Sequence, residues 1–165
     1  MAAEVALVTG GARRIGRAIV ERLAESGYAV VIHYNQSRSE AEELAAQIRA
    51  KGGQAAVVTA DLVDAAAVDG VLPAAEAAFG PVTLLVNNAS SFLIDDVRSL
   101  EVLRWNRQFS INLRAPSVLA GAMANRLPAD RQGAIVNIID QRVRKLTPQY
   151  YSYTLTKSAL LAATT

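Results

Sequence analysis

The chain has 165 residues, 52% of them apolar and 19% charged, with a formal net charge of +2. That balance suits one soluble domain with a substantial core and offers no block of Lys and Arg to serve as a nucleic-acid footprint. No cysteine occurs, which excludes disulfides and thiolate metal sites and agrees with a reducing compartment.

The start, MAAEVALVTGG, has an early Glu4, a short apolar run and no basic stretch, so no secretory leader is expected. The longest uncharged run, from Ala77 to Ile94, is broken by Gly80-Pro81 and Asn87-Asn88 and is not read as a membrane span. A cytoplasmic chain is expected.

VALVT, from Val5 to Thr9, reads as a buried strand. A glycine-bearing turn follows, then RRIGRAIVERLAESG repeats apolar residues at helical spacing until Gly27 stops it. YAVVIHY is a second strand, and SEAEELAAQIRAKGG a helix ended by Gly52-Gly53. AAVVTADL is a third strand. DAAAVDGVLPAAEAAFG is helical, with a break expected around Gly70 and Pro73. VTLLVNNA is the fourth strand, and after an irregular segment SLEVLRWNRQFSINLRAPSVLAGAMANRL is one long helix. GAIVNII is the fifth strand, and the sequence ends inside a helix that starts near Tyr150. Continuous apolar strands alternating with helices predict a parallel α/β sheet covered on both faces, in a single domain over residues 1–165. No strand follows the last helix, so either the fold is small or the chain is incomplete.

LVTGGARRIGRAI sets Gly10, Gly11 and Gly16 between a strand and a helix, where glycine lets the backbone approach a pyrophosphate. An NAD site usually offers Asp or Glu at the end of the second strand. Here VIHYNQSRSE has no acid before Glu40; it offers Asn35, Ser37 and Arg38, and the turn adds Arg13 and Arg14. Arginines without a carboxylate suit a 2′-phosphate, so NADPH is expected over NADH. Lone His33 is read as a half-buried strand residue, neither ligand nor catalyst.

In YTLTK, Tyr153 and Lys157 stand at i and i+4 and share a helix face. Moving a phenol from a pKa of about 10 to about 7 needs roughly 4 kcal/mol. An ammonium about 4 Å away supplies that order of energy in a partly shielded site. The pair is therefore a plausible acid/base device.

These features resemble the short-chain dehydrogenase/reductase family: the glycine turn, Asp61-Leu62 after the third strand, Asn87 to Ala89, Asn112, and Tyr153 with Lys157. Order and spacing agree over the whole chain. The resemblance implies a Rossmann-like, doubly wound sheet in three layers, with the family's sixth and seventh strands and its substrate-covering segment beyond this sequence. It implies Tyr153 as catalytic acid, Lys157 on the nicotinamide ribose, Asn112 in a water-linked proton relay, Asp61 at the adenine and Asn88 beside the cofactor. Ile15, Tyr34, Leu62, Ala89 and Ser90 complete the implied cofactor lining with Gly10, Arg13, Arg14, Gly16, Asn35 and Ser37. A dimer or tetramer through the long helix and the terminal helix is also implied.

Three departures narrow the match. Arg14 stands where the commoner turn has a third glycine, NNASSF replaces NNAG, and Asp140 replaces the usual active-site serine. These occur together in pteridine reductases and the related bacterial dihydromonapterin reductases. That branch implies Arg14 on cofactor phosphate and substrate, Ser90 between the two, Phe92 stacked on a flat pterin, and Tyr150 on the substrate side. Gln36 stands where some members of the branch have an arginine. An ionised Asp140 near Tyr153 would keep the phenol protonated, which favours proton donation in reduction over base work in alcohol oxidation. Pterin reduction is the first expectation, with a carbonyl reductase and a non-catalytic nucleotide binder as alternatives.

Overall fold

The computed structural model describes residues 4–164. The leader reading rests partly on residues 1–3, which lie outside the described residues. Five strands, β1 (Val5–Val8), β2 (Ala29–Tyr34), β3 (Ala55–Thr59), β4 (Leu84–Asn87) and β5 (Ala134–Asn137), form one sheet in the order β3-β2-β1-β4-β5. Every neighbouring pair is parallel. This is the Rossmann-like arrangement, with the order reversing between β1 and β4, where the carboxyl ends of the strands open a crevice.

Alternation along the strands divides the core in two. Val5 and Leu7 of β1 pack with Val31 of β2 on one face; Ala6, Val8, Val30 and Ile32 pack on the other. Helices α1 (Arg14–Glu25) and α2 (Arg38–Ala50) cover the second face. The first is covered by α3 (Ala65–Phe79) and α5 (Ala115–Arg126). β1 and β2 are buried along their whole length, whereas β5, at the sheet edge, is largely exposed.

Three helical expectations are corrected. α3 runs through Gly70 and Pro73 without a break. Asp64 caps it by accepting from the Ala66 N–H at 2.9 Å, and Val68, Val71, Leu72 and Ala75 bury one face. That burial outweighs the lost Pro73 hydrogen bond, which costs about 3 kcal/mol. The long helix is not uniform: α4 (Val102–Phe109) passes through a π turn at Ser110–Arg114 into α5. Pro116 has no N–H to give the Asn112 carbonyl four residues earlier, and its ring would press on that carbonyl, so the widened turn sits where the ladder must adjust. The strands are also shorter at their ends than their apolar runs. The last helix, α6 (Tyr151–Ala162), closes at Ala162 instead of running to the end of the sequence. Among the described residues no helix is long and apolar enough to cross a membrane.

Candidate active site

The glycine turn after β1 is held from three sides. Gly10 has φ +62°, and its N–H donates to Nδ1 of His33 at 3.2 Å; the Gly11 N–H donates to the His33 carbonyl at 3.0 Å. From just past the end of β4, the Asn88 amide donates to the carbonyls of Thr9 and Gly10 at 2.9 and 3.1 Å. Thr9 Oγ1 in turn accepts from the N–H groups of Asn88 and Ala89, each at 3.0 Å. Gly16 sits so close that a Cβ there would lie 2.1 Å from the Gly10 carbonyl oxygen.

His33 is therefore not half-buried, as its place on a strand suggested, but 1% exposed, because helices cover both faces of β2. Its partners assign the tautomer: the Gly10 N–H can only donate to Nδ1, so Nε2 carries the proton and donates to the Ala60 carbonyl at 3.1 Å. Burial lowers its pKa to about 4. The unfolded chain takes up a proton as pH falls below about 6.5, while the folded state resists until about 4. Stability is thus present above pH 6.5 and lost as pH falls toward 4, by on the order of 3 kcal/mol. Denaturant melts between these pH values should show this slope, and His33→Gln should remove most of it.

A cleft of about 710 Å³ opens at the carboxyl ends of the strands. Of the residues expected at the site, Gly10, Arg13, Arg14, Ile15, Gly16, Asn35, Asp61, Leu62, Asn88, Ala89, Ser90, Phe92, Asp140 and Tyr153 line it. His33, Arg107 and Ile111 also line it and were not anticipated. The spacing of Arg107 and Ile111, one turn apart, was the available signal. Arg14, with φ +52°, makes no side-chain hydrogen bond or ion pair among the described residues, whereas the Arg13 side chain lies 3.7 Å from Glu40. A second cleft, of about 640 Å³, lies between the ends of α1 and α2 and contains none of these groups.

The remaining expected residues support the lining from behind or beside it. Tyr34 is buried, and its hydroxyl accepts from Arg38 Nε at 3.2 Å. Ser37 stands at the head of α2, where its side chain makes no capping bond. Asn112 is fully buried: Oδ1 accepts from the Ser91 N–H at 2.7 Å and from Ser90 Oγ at 3.3 Å. Its Nδ2 donates to the Ser91 carbonyl at 2.9 Å and Thr156 Oγ1 at 3.1 Å. The Asn112 side chain is thus fully engaged in tying the segment after β4 to α6.

Tyr153 and Asp140 meet directly. The phenol donates to Asp140 Oδ2 at 3.0 Å, while Oδ1 accepts from the Arg142 N–H at 2.9 Å. Asp140 is therefore a turn cap and a partner of the tyrosine at once. Burial first, then the Asp140 carboxylate, pushes the Tyr153 pKa well above the usual phenol; Ser90 and Arg142 pull the other way. Lys157 is 3% exposed, and its Nζ donates to the Ile138 carbonyl at 2.8 Å and lies 5.8 Å from the Tyr153 ring centroid. Burial lowers its pKa, against the opposing pull of Asp140. Phe92 lies edge-on to Tyr153 at 4.7 Å and stacks in parallel on Tyr150 at 4.2 Å, with the Arg142 guanidinium 4.4 Å from the Tyr150 ring centroid.

Sheet order, glycine turn and crevice define a dinucleotide-binding type of α/β fold. The chain belongs to the short chain dehydrogenase family, whose model matches residues 4–165. Among solved structures it is similar to FolM alternative dihydrofolate reductase 1 from Brucella canis, complexed with NADP. The identity is 51% and the TM-score 0.94, covering 97% of this chain and 63% of that one. The Brucella suis counterpart, also in complex with NADP, is 52% identical with a TM-score of 0.94, covering 97% and 66%. The chain is 35% identical to the chloroplastic NADPH-dependent aldehyde reductase 2 of Arabidopsis thaliana over 98% of its length and 64% of that protein. It spans between 60% and 66% of the length of such relatives.

Proposed function

We propose that the protein is an NADPH-dependent reductase that transfers hydride to a C=N bond of a dihydropterin. The observation that carries the reading is the 3.0 Å bond from Tyr153 to Asp140 beside the half-exposed Phe92 ring. A carboxylate there favours the protonated phenol, and a flat exposed ring beside it suits a flat heteroaromatic substrate. Similarity to the FolM reductases supports the same substrate class.

The cofactor reading rests on the chain's own residues. Gly10 and Gly16 leave a cradle that a Cβ would fill, and Arg14 projects into the cleft without a partner among the described residues. Arg14 and the backbone of the turn would hold the phosphates. Lys157 would hold the nicotinamide ribose beside Tyr153. When bound, the reduced nicotinamide supplies the hydride. Tyr153 then gives its proton to the substrate nitrogen, which converts C=N to CH–NH. The phenolate left beside Asp140 is an unfavourable pair of anions, offset by the Arg142 guanidinium and the Lys157 ammonium, and a proton from solvent restores the phenol.

Mixing the purified protein with NADPH and dihydropterin, and following loss of the reduced-nicotinamide absorbance, tests the assignment. Turnover of dihydropterin should exceed that of simple aldehydes by at least about tenfold. Faster reduction of aldehydes would instead support the carbonyl-reductase reading that the plant relative favours.

A further inference from the structure

We propose that Asp95 is a positioning residue that caps the catalytic helix from outside and thereby sets the substrate face against Tyr153; this rests on the reduction assigned above. The segment from Ser91 to Asp96 has no regular secondary structure, yet it carries Phe92, which is half exposed at the cleft. Something other than a backbone ladder must hold it.

The head of α6 supplies the other half of the problem. Its N-cap residue, Tyr150, lies in the left-handed region at φ 60°, ψ 42°, and makes no side-chain cap bond. The first helical N–H groups would be left without acceptors. Asp95 supplies both. Its carbonyl accepts from the Tyr151 N–H at 3.2 Å, and its Oδ1 accepts from the Ser152 N–H at 3.1 Å. The remaining oxygen, Oδ2, accepts from Ser152 Oγ. Asp95 is 3% exposed, so these bonds are made away from water.

The link closes through Gln108, which is fully buried. Its Oε1 accepts from the Leu93 N–H at 3.1 Å, and its Nε2 donates to Ser152 Oγ. Phe92 is thus bracketed by Ser91, bound to Asn112, and by Leu93 and Asp95, both tied to Ser152. Ser152 immediately precedes Tyr153. A carboxylate at a helix N-terminus is favourable in its own right, and here it also fixes the distance between the stacking ring and the proton donor.

Asp95→Ala, Asp95→Asn and Asp95→Ser in the purified protein test this. Amide hydrogen exchange at Ser152, whose N–H acceptor is the Asp95 side chain, needs no substrate. It is expected to rise about tenfold or more in D95A and to stay within about threefold of wild type in D95N, whose side-chain oxygen still accepts from Ser152. Should D95A fail to fold, D95S, with a shorter acceptor, takes its place and should show a smaller rise in the same direction.

With NADPH and dihydropterin, or whichever carbonyl compound the wild type reduces, kcat/KM should fall about tenfold or more in D95A and recover mostly in D95N. The Kd of NADPH should change less than about twofold, because the glycine turn is held by His33 and Asn88 and makes no bond to Asp95. Unchanged exchange in D95A, equal losses in D95A and D95N, or a loss of NADPH affinity matching the loss of turnover would each overturn the proposal. A wild type that reduces no pterin counts against the functional assignment alone, since exchange still reads the cap.

Discussion

Asp140→Ser is expected to lower the rate of dihydropterin reduction by about 100-fold while leaving NADPH affinity within about twofold. The carboxylate acts on Tyr153 in two ways that a hydroxyl cannot match. It accepts the phenolic hydrogen at 3.0 Å, which orients the proton, and its charge opposes formation of the phenolate. With Asp140 present, burial and the carboxylate both raise the Tyr153 pKa, so the phenol stays protonated throughout the neutral range. In the serine variant one of these causes is removed, and Ser90 and Arg142, which lower the pKa, meet less opposition. The basic limb of kcat against pH should therefore move to lower pH. Steady-state profiles of both proteins check this, with NADPH binding measured by fluorescence. Full turnover with an unmoved profile would sink the assigned role.

Gly16→Ala should abolish measurable NADPH binding, weakening it by at least about 100-fold, and destabilise the fold by about 1–3 kcal/mol. A methyl group at this position would sit 2.1 Å from the Gly10 carbonyl oxygen and 2.6 Å from Asn88 Nδ2. The first contact is backbone, so relief requires the turn and the head of α1 to move apart. That movement also breaks the 3.1 Å bond from Asn88 to Gly10. The better helix propensity of alanine, worth about 1 kcal/mol, does not offset such a contact. Gly70→Ala is the internal control. Nothing lies within 4 Å of the added atom and the site is inside α3, so the same substitution should stabilise by roughly 0.5–1 kcal/mol. Chemical denaturation and cofactor titration of the two variants should give opposite signs of stability change, with binding lost only in the first.

The sheet was legible because each of its strands is a short apolar run bounded by turn residues, and a parallel core needs little else. The lining of the cleft was legible where a local pattern marks a position: Gly10, Gly16 and Tyr153 each stand in a motif only a few residues long. Asp140 was legible for a different reason, since its place after β5 put a charge where the family usually has a hydroxyl. His33 was misread because a lone polar residue on a strand says nothing about which backbone donor will face it. Pro73 was misread because its local cost is visible and the burial of Val71 and Leu72 is not. The Asp95–Ser152 and Asn112–Thr156 bonds join positions 57 and 44 apart, and no local pattern marks them.

Among the described residues, Arg14 and Tyr150 are the two that are not glycine and yet have positive φ. Each conformation costs about 1–2 kcal/mol that glycine would avoid. Selection for folding alone would place glycine at both positions, as the commoner turn of the family does at the first. Instead one carries a guanidinium into the cleft and the other a ring against Phe92. The marginal stability of such a chain leaves little room for strain elsewhere, so stabilising substitutions at Arg14 and Tyr150 should be easy to find and should come at the expense of recognition. The backbone thereby marks, independently of any side-chain chemistry, two positions that bear a conformational cost glycine would avoid.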